Sequence, residues 1–181
     1  MSRWFLLIIT VSCLIAGGTA GVSAQERKPG EYQVKALFLY NFINFVEWPA
    51  NSSFRTSARI NVCIIGNDPF EDALDEIRDE SVKGKKLVIR LLRASDEPKG
   101  CHLLFIPASA TEHTGHILRS IRETGVLTVA DTEESVRQEA AIGFYIEQKK
   151  VHFAVNIDAA GRAGLKISAK LLKLARIVRD N

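Results

Sequence analysis

The sequence predicts a single α/β domain in which helices flank a mostly parallel sheet, with an antiparallel hairpin near the C-terminus. Short β-branched runs alternate with segments of helical periodicity, which is typical of parallel sheets with crossover helices. Two apolar runs, 141–147 and 150–157, are separated only by Gln148 and Lys149, and so short a link requires an antiparallel hairpin. No repeat, linker or low-complexity tract follows residue 24, so we predict one domain.

Composition and motifs give no sign of catalysis. The 181 residues are 46% hydrophobic, which is enough to bury a core. A formal net charge of only +3 gives no reason to expect general nucleic-acid binding. No P-loop, dinucleotide-binding glycine motif, nucleophile elbow or zincin motif occurs in the sequence. We therefore predict no catalytic residues, no cofactor and no metal site.

Residues 1–24 have the pattern of a secretory signal peptide. A positive charge at Arg3 precedes an apolar run, and small residues lead up to Ala24. The apolar run is short for a helix that spans a membrane. We predict cleavage after Ala24, which leaves an exported domain of residues 25–181.

The first element of the exported domain is an apolar helix over residues 31–48, which Pro49 ends. Apolar side chains surround most of its circumference, so we expect it to be covered on more than one side. One cover is the sheet of the domain. The other is either a further part of the same chain or a second copy, and for the second copy Phe42 and Trp48 are the candidate self-association residues.

Local signals place the elements that follow. Asp68 and Pro69 are typical of a helix start, which predicts a helix from Pro69 to about residue 80. Lys83 to Lys85 predicts a turn around Gly84. The remaining predicted strands cover residues 59–65, 86–92, 102–106 and 126–129, and the remaining predicted helices cover residues 109–123, 132–139 and 158–163.

The C-terminal end has the pattern of a basic amphipathic helix. Ser168 is placed to cap it, and apolar residues recur at helical spacing after that cap. The members of this stripe are Leu171, Leu174, Ala175 and Val178. The sequence therefore predicts a helix that continues to the end of the chain.

Positive charge is concentrated in the same region. Residues 158–181 contain six Lys or Arg and two Asp. Such a balance favours docking of an acidic partner or of an anionic bilayer surface, although charge runs are often only a solvated face. If the region docks a partner, the candidate contact residues are Arg162, Ile167, Lys170 and Lys173.

Two cysteines, Cys63 and Cys101, remain after export, and each lies in or beside a predicted strand. An even count in an oxidising compartment favours one disulfide over two buried thiols. In the chain-entropy model that bridge contributes about 4 kcal/mol to stability.

The loops at the carboxyl ends of the predicted parallel strands offer a different site, since such loops often bind ligands. They cover residues 66–68, 107–109 and 130–131. This placement gives an alternative function, a periplasmic module that binds a small molecule. In the simpler interpretation Asp68, Ser109 and Asp131 only cap helices.

Several segments, in order, resemble the YfiR family of exported bacterial proteins across nearly all of the mature chain. The matching segments are YQVKALFLYNF (32–42), FVEWP (45–49), VCIIGNDPF (62–70), CHLLFI (101–106), VLTV (126–129), VHFAVNIDAA (151–160), GLKIS (164–168) and LLKLA (171–175). The chain departs from the family at Ala140 and Ala141, where a glycine pair is frequent.

The resemblance implies a periplasmic regulator without enzymatic activity. It implies repression of an inner-membrane diguanylate cyclase through the periplasmic portion of that enzyme, which lowers cyclic-di-GMP production and biofilm formation. A receptor kinase with a periplasmic domain is an equally suitable partner. Members of the family dimerise and can carry intramolecular disulfides, and Cys63 and Cys101 fall at matching strand positions. Nucleic acid is not an expected partner.

Overall fold

The computed structural model describes residues 30–180, and for residues 111–113 it describes the backbone alone. The predicted signal peptide and its cleavage site lie outside the described residues. Within residues 30–180 no helix has the length and apolar character that crossing a membrane requires.

Six α-helices and ten strands are present between residues 30 and 180. In chain order they are α1 (Glu31–Phe45), β1 (Val46–Glu47), α2 (Ser53–Thr56), β2 (Arg59–Ile65), β3 (Ser81–Val82), β4 (Lys85–Leu92), β5 (Leu103–Ile106), α3 (Thr111–Ser120), β6 (Leu127–Ala130), α4 (Glu134–Arg137), β7 (Ile142–Glu147), β8 (Lys150–Asn156), α5 (Ile157–Arg162), β9 (Lys166–Ile167), α6 (Ala169–Leu172) and β10 (Arg176–Val178).

Eight of the strands form one mixed sheet in the order β10-β8-β7-β6-β5-β2-β4-β3. All neighbours are parallel except β3 with β4 and β7 with β8. The predicted fold class, a mostly parallel sheet with a late antiparallel hairpin, is therefore confirmed. β1 and β9 pair with each other in a separate antiparallel ribbon.

Two layers of helices bury the two faces of the sheet. On one face α1 places Phe42 against the rings of Phe144 and Phe153, with centroid distances of 5.7 and 5.0 Å. On the other face α3 contributes Ile117 and Leu118 to a second buried cluster that includes the cysteines. Strands that are buried on both faces carry continuous apolar runs. β5 and β6 were predicted from such runs, and both are buried at every position.

Four predicted helices are shorter than expected or of another type. The helix predicted over residues 132–139 is α4, with four residues. α1 ends at Phe45 instead of Trp48, because the chain turns there into the ribbon with β9. The predicted helix from Pro69 is a 3-10 helix over Glu71–Glu76. The predicted helix over residues 109–123 is α3, which a 3-10 turn over Ala108–Ala110 precedes.

The turn predicted around Gly84 is confirmed, and it carries a strand pair that was not predicted. Lys83 and Gly84 both have positive φ, 52° and 74°, as the two central residues of a type I′ hairpin turn require. β3 therefore pairs with the start of β4. With only two residues, β3 gives no periodic signal in the sequence.

The prediction of a C-terminal helix to the end of the chain is wrong. Ser168 does cap a helix, since its Oγ accepts a hydrogen bond from the N–H of Leu171 at 3.3 Å, but α6 ends after four residues. The chain then becomes extended, and β10 pairs in parallel with β8. Ile177 and Val178 are β-branched and suit a strand, and the open edge of β8 supplies main-chain partners that override the local helical pattern.

Gly143 on β7 is a position where a side chain does not fit. A Cβ there would lie 2.3 Å from Val136 Cγ2 and 2.7 Å from the carbonyl oxygen of Thr132. We expect Gly143→Ala to lower the free energy of unfolding by about 1–3 kcal/mol, the usual cost of overpacking, in urea titrations. Gly161→Ala is the matched control, because a Cβ at Gly161 meets nothing within 4 Å. Equal midpoints for the two variants would contradict the expectation.

Candidate partner-binding surface

A run of cations without an acidic residue extends from β9 through β10. We call residues 166–179 the basic segment. Its charged side chains are Lys166, Lys170, Lys173, Arg176 and Arg179. Lys170 and Lys173 are exposed and form no ion pair with any residue between 30 and 180. Their charge is therefore available to a binding partner.

Arg176, on β10, fixes the outer strand to the domain. Its Nη1 lies 2.9 and 3.1 Å from the two carboxylate oxygens of Glu133, and its Nη2 lies 3.5 Å from Glu147. The guanidinium also covers the ring of Tyr145 at 4.2 Å. The hydrogen bond to Glu133 is the main cause that raises the pKa of Arg176.

Arg162, a predicted contact residue, is already engaged by its own chain. Its Nη1 donates to Asp180, and its Nη2 lies 3.9 Å from Glu139. Asp180 also accepts from the side-chain amide of Asn156 at 2.8 Å, and that hydrogen bond is the main cause that lowers the pKa of Asp180. Arg162 therefore fastens the C-terminal end of the chain, with 29% of its side chain exposed.

The four predicted contact residues fall into two groups. Lys170 and Lys173 lie together on and just after α6 with free ammonium groups. Ile167, by contrast, pairs with Val46 in the β1–β9 ribbon and packs against the main core. The structure thus gathers the two lysines on one surface and gives Arg162 and Ile167 roles inside the domain as well.

Exposed apolar side chains accompany the cations. Leu174 is 73% exposed and Ile177 is 44% exposed. Leu174 was predicted to lie on the apolar stripe of a C-terminal helix, and this prediction is wrong because the helix ends before it. Ile177 is in register with Val155, which is part of the core under α1, so both face the α1 side of the sheet. Sequence patterning did not identify this apolar and basic combination, since it assigned the residues to a helix.

Phe42 and Trp48, the predicted self-association residues, lie inside the domain. Phe42 lies on the sheet-facing side of α1 and is fully buried, and Trp48 is 4% exposed and stacked on Phe54 at 4.1 Å. Neither side chain offers a surface to a second copy in this structure. The domain supplies only part of the cover predicted for α1, because Val34 and Leu37 on its outer side remain 41% and 47% exposed. Self-association itself stays a prediction.

A buried ion pair closes the carboxyl edge of the sheet. Asp131 follows β6, and its carboxylate accepts from Lys35 Nζ at 2.6 Å and from the hydroxyl of Tyr32 at 2.8 Å. The side chains of Lys35 and Asp131 are 3% and 5% exposed. Glu31 adds a second carboxylate 2.5 Å from the same ammonium group. The cluster ties the start of α1 to the strand ends.

Other side chains fill the strand-end loops that were considered for a ligand. The carboxylate of Asp68 accepts from the backbone N–H of Phe70 at 2.8 Å. Phe70 then packs edge-on against Phe105 and Tyr32, with centroid distances of 4.7 and 5.3 Å. Asp68 therefore has a local structural role, and the space beside it is occupied by aromatic rings.

Residues 32–176 match the family model described as YfiR/HmsC-like. The chain belongs to the YfiR/HmsC-like family. The match extends from α1 to the first residue of β10, so it includes both cysteines and most of the basic segment. Family membership, predicted from the segments of sequence that resemble it, is thus confirmed.

The predicted disulfide is present in this YfiR/HmsC-like domain. Cys63 on β2 and Cys101 just before β5 are bonded through their Sγ atoms, with their Cα atoms 5.9 Å apart. β2 and β5 are parallel neighbours, so the bridge joins two central strands. Both cysteines are buried on the α3 side of the sheet.

We expect the stability of the YfiR/HmsC-like domain to depend on pH through His102, which lies next to this bridge. Its Nδ1 accepts from the N–H of Asn61 at 2.9 Å, and burial is the main cause that lowers its pKa. In the unfolded chain His102 binds a proton as the pH falls through about 6.5. In the folded chain His102 binds that proton only at lower pH, because its pKa is lowered. Stability should therefore fall as pH drops below about 6.5, by at most about 1.4 kcal/mol per pH unit.

The control for this expectation is His102→Asn, which keeps an acceptor for Asn61 and removes the titration. Urea midpoints measured from about pH 7.5 down to about pH 5.5 should fall more steeply for the natural chain than for the variant. Parallel pH profiles would show that His102 does not contribute.

Proposed function

We propose that this protein is a periplasmic regulator that binds the periplasmic portion of an inner-membrane diguanylate cyclase and holds the enzyme inactive. The observation that carries the proposal is membership of the YfiR/HmsC-like family over residues 32–176. The family resemblance implies regulation by binding rather than by catalysis. Repression lowers cyclic-di-GMP and with it biofilm formation.

The predicted compartment and the disulfide support this assignment. A signal peptide over residues 1–24 directs the chain to an oxidising compartment, and disulfides persist in such compartments. The Cys63–Cys101 bridge is consistent with folding there. A diguanylate cyclase with a periplasmic domain would then be within reach on the adjacent membrane surface, as would a receptor kinase.

The basic segment is the surface that we assign to the partner. Lys170 and Lys173 are exposed cations without an ion pair among residues 30–180, and Leu174 and Ile177 add exposed apolar area. Such a combination suits an acidic partner with apolar anchors, because charge complementarity steers association and apolar contacts supply affinity. Arg162, through Asp180, and Ile167, through Val46, anchor the two ends of this surface to the domain. We also propose that the active assembly contains two copies of the chain.

We expect Lys170→Glu/Lys173→Glu to weaken partner capture by about tenfold or more, because it reverses two unpaired cations. Mature protein is used as bait for detergent-solubilised envelope, and the recovered membrane proteins are quantified by mass spectrometry. Surface changes of this kind shift stability by only about 0.5 kcal/mol, so the melting temperature should stay the same.

The matched control is Lys86→Glu/Arg93→Glu, which makes the same change in charge at exposed positions outside the basic segment. It should capture the partner like the natural chain. Equal capture by both double variants would remove the basic segment from the site. If the natural chain captures no protein with a cytoplasmic cyclase or kinase domain, the regulator proposal itself is wrong.

A cavity of about 510 Å³ favours a second candidate function, a sensor of small molecules. It lies between the loop of residues 94–100 and α3, and Ile117, Ile121 and Val126 contribute apolar lining. This cavity is separate from the strand-end loops. A melting temperature that rises with a periplasmic metabolite, and that Ile121→Trp abolishes, would support the sensor.

A further inference from the structure

The outer edge of β10 presents main-chain groups that the sheet leaves open. β10 is the terminal strand, and β8 is its one neighbour among the described strands. The N–H of Asn156 donates to Ala141, on the β7 side. Because main-chain groups alternate along a strand, those of Val155 point to β10. In a parallel ladder the residue in register with Val155, which is Ile177, then points its N–H and C=O away from the sheet.

The side chains along this edge define the kind of strand that would fit. Ile177 is apolar and 44% exposed. Its neighbours on the strand are Arg176, which Glu133 and Glu147 hold, and Val178. The nearest unpaired cation among residues 30–180 is Lys173, and Arg179 is 70% exposed beyond the strand. Like charges opposite one another destabilise strand pairs. The edge therefore disfavours the identical strand of a second copy and favours a strand that carries acidic side chains around an apolar residue.

We propose that the partner docks by β-augmentation: an extended acidic and apolar segment pairs with the edge of β10 as a ninth strand, through the N–H and C=O of Ile177. This inference rests on the proposed function for the identity of the partner and adds the mode of recognition. In such complexes main-chain hydrogen bonds provide affinity and alternate side chains provide specificity.

Ile177→Pro is the sharpest test, because proline removes the outward N–H while the inward-facing groups of Arg176 and Val178 stay paired with β8. Edge strands tolerate proline at such outward positions. The matched control is Ile177→Val, which keeps both the N–H and a β-branched side chain. Thermal melting verifies that both variants fold.

The probe is a fluorescein-labelled, acetylated peptide of alternating valine and glutamate, and its lysine counterpart tests charge. Fluorescence anisotropy should show that the natural chain and Ile177→Val bind the glutamate peptide, that Ile177→Pro binds it about tenfold more weakly or worse, and that the lysine peptide binds weakly to all three. The amide hydrogen of Ile177 should exchange rapidly in the free protein and slowly with the peptide bound.

Equal binding by Ile177→Pro and the natural chain, an unprotected Ile177 amide, or no binding of the glutamate peptide would overturn the proposal. The peptide experiment contains no membrane protein, so its failure leaves the regulator function standing. Conversely, failure of the natural chain to capture a membrane signalling protein refutes that function and does not alter the peptide result.

Discussion

Lys35→Met should lower the free energy of unfolding by about 3–5 kcal/mol, the cost of leaving one partner of a buried ion pair alone. The substitution keeps the length of the side chain but removes the charge that faces Asp131. The carboxylate of Asp131 is 5% exposed and would retain the hydroxyl of Tyr32 as a donor. One hydrogen bond does not compensate the desolvation of a buried charge. Urea denaturation at neutral pH measures the loss.

A double variant separates charge from packing. In Lys35→Met/Asp131→Asn the amide keeps an acceptor for Tyr32, and the one charge of the cluster that remains is Glu31, whose side chain is 28% exposed to water. Replacing a buried ion pair by uncharged groups of similar shape is often close to neutral, so the double variant should recover most of the lost stability. A double variant as unstable as Lys35→Met would show that lost packing, and not an unpaired charge, caused the effect.

Removal of the disulfide should have an effect of comparable size. Cys63→Ala/Cys101→Ala opens a loop with a sequence separation of 38 residues, and the chain-entropy model gives a loss of about 4 kcal/mol. Alanine is chosen because both positions are buried in an apolar cluster, where serine would leave a hydroxyl without a partner. The measurement is the free energy of unfolding in urea without reductant.

The natural chain in the presence of dithiothreitol is the internal control. Once reduced and unfolded, it should refold only to the stability of the double alanine variant, and the variant itself should not respond to the reductant. A loss of less than about 1 kcal/mol in either case would contradict the chain-entropy expectation.

Local sequence signals were sufficient to predict the central strands of the sheet and insufficient to predict its edge strand β10. The β-branched runs of β2, β4, β5 and β6 are long enough to carry a pattern, and the two-residue link fixed the direction of β7 against β8. β10 was missed because a stripe of Leu and Ala at helical spacing describes local amphipathicity only. Whether β8 has an open edge nearby is a property of the assembled sheet, which no window of sequence contains.

The candidate site was predictable only in part for the same reason. Cysteine counting identified the disulfide, since that count does not depend on geometry. Charge counting selected Lys170 and Lys173, which are exposed, and their contact with a partner stays a prediction. The Lys35–Asp131 pair joins residues that are 96 positions apart, so its partners cannot be matched from one sequence. Phe42 and Trp48 were assigned to a surface because an apolar helix pattern does not distinguish the chain's own sheet from a second copy.

The disulfide divides the sheet into two parts with different unfolding behaviour. β3 and β4 lie within the covalent ring closed by Cys63 and Cys101, so they cannot separate from the domain as a free end. β10 lies outside the ring, on the C-terminal side of Cys101. Partial unfolding should therefore start at the C-terminal margin. A protein bound there would slow native-state proteolysis of the molecules that carry it, so the mean lifetime of this protein would rise with the fraction that is bound.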